Sequence, residues 1–258
     1  KGMKTVRYEK SGHLVVITLS RPEKLNALNE ELMAGLREAW VRYRDDDDAW
    51  LAILTAEGRA FCAGADKSWF AAASGGRDAL GAVQRLIRED PYWSGALDKP
   101  TMVSVNGLAV GAAVDLVLRA DFRVAAQSAV FRQAEVERGN FMLFHDNLPS
   151  AIAAEMMAGF PITAQRAYEV GMINRLVPDA ALREVTQAMA DELLSRPPLV
   201  LHEALKLLRD LKYAGTMVPR SLVDRYATEV SRGFVQTEDW KEATAALLEK
   251  KAPVFRRR

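Results

Sequence analysis

TMVSVNGLAVGAAVDLVLRAD, residues 101–121, decides how the rest of the chain is read. Its first five residues are apolar and β-prone, the pattern of a short buried strand. Asn106-Gly107 is a tight-turn signal, and Gly111-Ala112-Ala113 opens a helix. A strand that turns into a helix aims unpaired backbone N–H groups at whatever sits before the helix. Such a site holds an anion without a cationic side chain. Asp115 lies on the first turns of that helix, framed by Val114 and Leu116. No P-loop or dinucleotide fingerprint follows, which argues against a phosphate as the anion.

Upstream lies a second small-residue loop, Cys62-Ala63-Gly64-Ala65-Asp66, within the loop expected over 57–66. Each loop leads toward a predicted helix. Two convergent N–H groups form an oxyanion hole, which stabilises an enolate or a tetrahedral oxyanion as charge develops. Taken singly, each loop reads first as close helix–strand packing, which also needs small residues. Downstream, Glu135 closes Phe131-Arg132-Gln133-Ala134-Glu135. Two carboxylates beside an oxyanion hole can hold a water or move protons on and off carbon. A lone Asp or Glu is more often a solvated surface group.

Around this centre the chain alternates strand and helix. Strands are expected over 6–9 and 14–19, joined at Ser11-Gly12, then over 51–54 and 122–125. Asn29 is placed to cap a helix over 30–44, followed by four aspartates, Asp45–Asp48. Further helices are expected over 78–88 and 147–158, and from Thr163 to a stop at Gly171. Beyond residue 180 only helix is expected, over 180–194, 199–212, 219–232 and 238–250. The pattern is an α/β core, residues 1–195, with a helical subdomain, residues 196–258.

Charges nearly balance, 35 basic against 34 acidic. No basic run beyond Arg256-Arg257-Arg258 appears, which argues against a nucleic-acid or membrane-surface partner. Cys62 is the single cysteine, so no intrachain disulfide forms. No apolar run is long enough for a membrane span. The first ten residues carry no apolar signal core, and a cytoplasmic location is expected.

The segments Arg21-Pro22-Glu23-Lys24-Leu25-Asn26-Ala27-Leu28-Asn29 and Gly58-Arg59-Ala60-Phe61-Cys62-Ala63-Gly64-Ala65-Asp66 form one ordered set with those already quoted. Gly171-Met172-Ile173-Asn174-Arg175-Leu176-Val177-Pro178 and Glu249-Lys250-Lys251-Ala252-Pro253-Val254-Phe255 complete it. In order and spacing the set resembles the crotonase (enoyl-CoA hydratase/isomerase) superfamily along essentially the whole chain. The resemblance implies a right-handed spiral of ββα turns, with C-terminal helices that mediate homotrimers or hexamers and close over the coenzyme A site. The implied substrate is an acyl-CoA thioester, with no metal and no separate cofactor. Ala65 and Ala112 would supply the oxyanion N–H groups. Lys24, Ala27, Ala63, Asp66 and Leu108 would line the coenzyme path, and Lys250 and Phe255 would approach its nucleotide end. Glu135 and Asp115 fall where hydratases carry their two catalytic glutamates. That assignment suits hydration of a trans-2-enoyl-CoA to a 3-hydroxyacyl-CoA.

Three departures accompany the resemblance. Asp115 is one methylene shorter than the expected Glu. Dienoyl-CoA isomerases also carry Asp there but need a further Asp, and that position is Leu143. The usual Pro-Gly-Gly turn is replaced by Asn140-Phe141-Met142-Leu143-Phe144-His145-Asp146, so a reshaped acyl pocket is expected. The step after Gly111 is alanine-rich. Alternatives are therefore a Δ3–Δ2 isomerase using Glu135 alone, a carbon–carbon bond hydrolase using His145, and a non-catalytic acyl-CoA- or RNA-binding relative. His145-Asp146 reads first as a capping or surface pair ahead of the helix at Asn147. Trp69-Phe70 reads as acyl wall or as plain core, and Arg132 and Arg138 as groups orienting Glu135 or facing solvent. His13 and His202 read as non-functional.

Overall fold

The computed structural model describes residues 5–66, 68–69, 89–134, 148–213, 237–249, 251 and 253–256. The expected helices over 78–88 and 219–232 lie outside them. The chain opens with the hairpin β1 (Val6–Ser11) and β2 (Leu14–Leu19), antiparallel with Ser11 opposite Leu14. Helix α1 (Glu30–Asp45) follows, and the Asn29 Oδ1 accepts from the Leu32 N–H at 3.0 Å, as the capping pattern requires.

From here strands come in pairs split between two sheets. The pairs are β3 (Leu51–Ala56) with β4 (Ala60–Cys62), β5 (Thr101–Val105) with β6 (Leu108–Val110), and β7 (Phe122–Ala126) with β8 (Val130–Arg132). The first member of each joins the large sheet, the second the small one. Helix α2 (Ala112–Arg119) leaves β6. Next come α3 (Ser150–Met157), β9 (Ile162–Thr163), α4 (Ala164–Glu169) and β10 (Arg175–Val177). Helices α5 (Leu182–Leu194), α6 (Pro198–Tyr213) and α7 (Glu238–Glu249) close the order. The large sheet runs β1-β2-β3-β5-β7-β10 and the small one β4-β6-β8-β9. This is the spiral architecture expected from the motifs.

Five short strands differ from the sequence reading. β4 lies inside the expected loop, β6 intervenes between Asn106-Gly107 and the helix, and β8, β9 and β10 are additional. Each has only two or three residues, too few for a period to declare itself. They exist because successive spiral corners stack. Asn106 Nδ2 donates to the Gly58 carbonyl at 2.7 Å, and a Cβ on Gly107 would collide with the Arg59 carbonyl.

Both faces of the large sheet are covered at its centre, so β2, β3 and β5 are mainly apolar runs rather than alternating ones. Leu51, Ile53, Met102 and Val124 face a cluster with Leu182 and Ala190 of α5. Ala52, Leu54, Val103 and Val105 face the main core, which holds Trp40, Phe61, Val114 and Phe131. Buried Lys99 donates to the carbonyls of Tyr43 and Asp46 at 2.8 and 2.7 Å, placing a cation at the negative end of α1. Helix α6 is tied to the core by Arg209, whose guanidinium meets both Asp121 carboxylate oxygens at 2.9 Å. No helix among the described residues is long and apolar enough to cross a membrane.

Candidate active site

β4, β6 and β8 are parallel neighbours, with Cys62 opposite Ala109 and Val110 opposite Arg132. Three chain segments therefore leave the same end of one sheet: 63–66, 111–112 and 133–134. Two of them carry the expected N–H donors and the third leads to Glu135.

The first two turns each depend on a glycine. Gly64 has φ +81°, and a Cβ there would sit 2.7 Å from the Val110 carbonyl oxygen. The two donor loops are thus in direct contact. Gly111 caps α2 with φ 59° and ψ −124°, a conformation for glycine alone, and its N–H donates to the Arg132 carbonyl at 2.8 Å. Ala112 is the first residue of α2, where backbone N–H groups lack an intrahelical acceptor. Arg123 fixes the other end, donating to the carbonyls of Leu118 and Ala120.

Ala65 is oriented by the segment behind it. Leu28 donates to the Gly64 carbonyl and accepts from the Asp66 N–H, both at 2.8 Å, and the Ala63 N–H reaches the Leu25 carbonyl at 2.9 Å. The Gly64 carbonyl and the Ala65 N–H share one trans peptide, so the Ala65 N–H points away from Leu28. The lacing needs Leu25 and Asn26 in consecutive left-handed conformations, φ 51° and 54°. Asn26 is fully buried and holds them there. Its Oδ1 accepts from the Arg21 N–H at 2.8 Å, and its Nδ2 donates to the carbonyls of Glu57 and Ala60 at 2.8 and 2.9 Å.

The sequence-predicted residues divide. Lys24, Ala27, Ala63 and Asp66 are brought together by this lacing. Lys24 is exposed, and Ala27, Ala63, Ala65 and Ala112 are half-buried. Asp66 works as a clamp: Ser68 Oγ donates to it at 2.6 Å and Arg21 Nη1 at 2.8 Å. Those bonds, Ser68 first, hold its carboxyl well below the usual carboxylate range. Leu108 opens β6, at the opposite end of that strand from Gly111. Trp69 is half-buried against the main core. Phe255 is buried in a tail that folds onto α7, where Arg256 N–H meets Asp239 Oδ1 at 2.7 Å. Nothing among the described residues joins it to Ala65 or Ala112. Glu135, Lys250, His145, Asp146, Phe70 and Arg138 lie outside the described residues.

Asp115 is 4% exposed, and its Oδ2 accepts from Arg119 Nε at 2.7 Å, one turn along α2. The pair is sealed, with side chains 6% and 8% exposed. Sequence reading placed Asp115 but missed Arg119, although i,i+4 spacing of opposite charges was the available signal. It also missed the scaffolding by Asn26 and Arg21. Cys62, at the end of β4, is fully buried, and desolvation pushes its thiol up to about 12.

Two sheets linked by a strand-pair spiral, with glycine turns at the end of the smaller, define a class of fold and site. The enoyl-CoA hydratase/isomerase family model matches residues 9–258. The (E)-benzylidenesuccinyl-CoA hydratase of Thauera aromatica is 30% identical over 261 residues, covering 97% of this chain and 98% of the relative. The carnitinyl-CoA dehydratase of Salmonella typhi is 31% identical over 269 residues, covering 96% and 97%. Among solved structures, an enoyl-CoA hydratase/isomerase from Mycobacterium paratuberculosis superimposes with a TM-score of 0.85 at 29% identity, each chain fully covered. The chain belongs to the enoyl-CoA hydratase/isomerase family and is an enzyme of that family.

Proposed function

We propose that the protein is an enoyl-CoA hydratase, a lyase that adds water to a trans-2-enoyl-CoA to give a 3-hydroxyacyl-CoA. The thioester oxygen lies between the N–H groups of Ala65 and Ala112. Glu135 takes a proton from water as its oxygen bonds to the β-carbon. The electron pair moves to the thioester oxygen as an enolate, where the two N–H groups stabilise it. Glu135 then delivers the proton to the α-carbon, and the enolate collapses to the thioester. Asp115 is the auxiliary carboxylate, restrained by Arg119. Coenzyme A is part of the substrate, and no metal or redox step is needed.

The observation that carries this reading is the shared exit of three parallel strands, with Gly64 abutting Val110 and Gly111 bonded to Arg132. The hydratase and dehydratase names of the relatives point the same way. The C-terminal residues, with Lys250 and Phe255, are assigned to the coenzyme side and to a homotrimer or a hexamer of two trimers. Mixing purified protein with short and medium enoyl-CoA and following loss of the conjugated thioester absorbance tests the reaction. Acyl-CoA binding with no turnover at any chain length would sink it.

One observation favours a second reading, a Δ3–Δ2 enoyl-CoA isomerase using Glu135 alone: Asp115 is already engaged by Arg119 at 2.7 Å. Isomerase turnover that survives Asp115→Ala, with no hydration, selects it.

A further inference from the structure

A cavity of about 460 Å³ lies between the outer face of the large sheet and the first half of α5. The main core, with Phe61 and Ala109 of the strands that carry the donor loops, is on the other face of that sheet. On three neighbouring strands the outward side chains change character as they reach the cavity. Val16, Ile53 and Met102 belong to the apolar cluster under α5, and the next outward residues are Thr18, Thr55 and Ser104. Thr18 stands directly opposite Thr55, and all three hydroxyl residues line the cavity. Thr18 is 5% exposed and Ser104 4%. Hydroxyls at such depth cost free energy unless they are bonded.

The protons of this row can be followed. Thr186 Oγ1 donates to the Leu182 carbonyl at 2.7 Å, so in its 3.0 Å contact with Ser104 the serine is the donor. Thr55 Oγ1 donates to the Ser104 carbonyl at 3.4 Å. The Thr18 hydroxyl has no hydrogen-bond partner among the described residues. A hydroxyl has one proton and two acceptor sites. With the other protons spent inside the protein, the row turns mainly lone pairs to the cavity, and a group that donates completes it. The charged lining has the matching sign. Glu9, Glu57 and Asp179 stand against Arg7 and Arg183, and Arg7 is already paired with Glu57.

We propose that this cavity binds a primary ammonium ion carried on a short carbon chain. An ammonium has three N–H donors and no acceptor, the complement of an acceptor row. Val16, Ile53 and Leu182 supply apolar wall for the methylenes, and Glu9 and Asp179 supply the opposite charge. A carboxylate of the same length brings only acceptors to acceptors, and a diol brings half as many donors with no charge.

Calorimetric titration of the full chain with 1,4-diaminobutane, butane-1,4-diol and succinate tests this on the unmodified protein. The three ligands share a four-carbon chain and differ in their end groups. The diamine should bind about tenfold tighter than either of the others. Thr18→Val and Thr55→Val keep the shape and remove a hydroxyl, and each should weaken the diamine by about three- to tenfold. The Tm of Thr18→Val should be equal or higher, since an unpaired hydroxyl has been removed. Absent diamine binding, equal binding of the three ligands, or an unchanged affinity in Thr18→Val overturns the proposal and leaves a hydration cavity only. Glu9→Gln, on the exposed rim, reads the same site if a core variant does not fold: it should weaken the diamine about threefold, and an unchanged affinity again overturns the proposal. No part of the titration depends on thioester turnover.

Discussion

The backbone N–H of Gly111 donates to the carbonyl of Arg132 at 2.8 Å. The first residue caps the helix that presents Ala112, and the second ends the strand that leads to Glu135. The turn of the proposed donor and the strand that leads toward the proposed acid/base are thus joined through one peptide hydrogen bond. Displacing either turn displaces the other, and catalytic geometry tolerates little of this: a shift of about 1 Å can cost about 10²-fold in rate.

Gly64→Ala is the sharpest steric probe of that joint. The new Cβ would lie 2.7 Å from the Val110 carbonyl, at φ +81°. The backbone strain alone is about 1–3 kcal/mol. A drop in kcat of about 10²-fold is expected, with a lowered Tm. Steady-state kinetics beside thermal melts decide it, and an unchanged kcat would show that the Ala65 loop is not a donor loop.

The Asp115–Arg119 pair should behave as a sealed ion pair. Arg119→Met alone leaves a buried carboxylate without its guanidinium and should cost about 3–5 kcal/mol; Asp115→Leu alone should cost about as much. The double variant should cost no more than either single one, giving a coupling energy of about 3 kcal/mol or more. Urea melts of the four proteins provide the cycle. Simple additivity would mean the 2.7 Å contact carries no energy.

Burial pushes the Asp90 carboxyl up to about 6, against the opposing pull of the Trp93 and Tyr92 N–H groups that it accepts. In the unfolded chain the same group titrates near its ordinary value of about 3.9. Between those pH values the folded protein holds a proton that the unfolded chain has released. This group's contribution therefore falls as pH rises from about 4 to about 6, by up to about 3 kcal/mol, and stays low above. Asp90→Asn keeps the acceptor oxygen and removes the charge. It should be more stable than the parent at pH 7, with the difference closing near pH 4. Paired urea titrations at three pH values check it, and a constant difference would refute it.

Asn26→Ala should unpin the loop behind Ala65. Three hydrogen bonds are lost and two backbone carbonyls lose their donor, a cost of about 3 kcal/mol. Leu25, at φ 51°, is then held only by main-chain bonds, from its own N–H to the Pro22 carbonyl and from the Ala63 N–H to its carbonyl. Activity should fall more than coenzyme A binding does, because the donor rather than the coenzyme path is disturbed. Comparing kcat with KM separates the two.

Much of this was written in local sequence. The hairpin at Gly12, the Asn29 and Thr163 caps, and the stop at Gly171 each rest on chemistry within a few residues. The two glycine turns could be located for the same reason, as could the burial of Asp115 in its apolar frame. The clamp of Asp66 by Arg21, across 45 positions, could not. Nor could β4 and β6, which become strands only when spiral corners stack.

Cys62 ends the strand that leads to Ala65, fully buried, with its thiol pushed up to about 12. It is the single cysteine of the chain. A thiol reagent cannot reach it, or find it ionised, while the core around β4 is closed. Its labelling rate is therefore a clock for opening of that core, read from one atom without any added probe. Lengthening of that clock when a thioester ligand is added would measure how far binding stabilises the folded state.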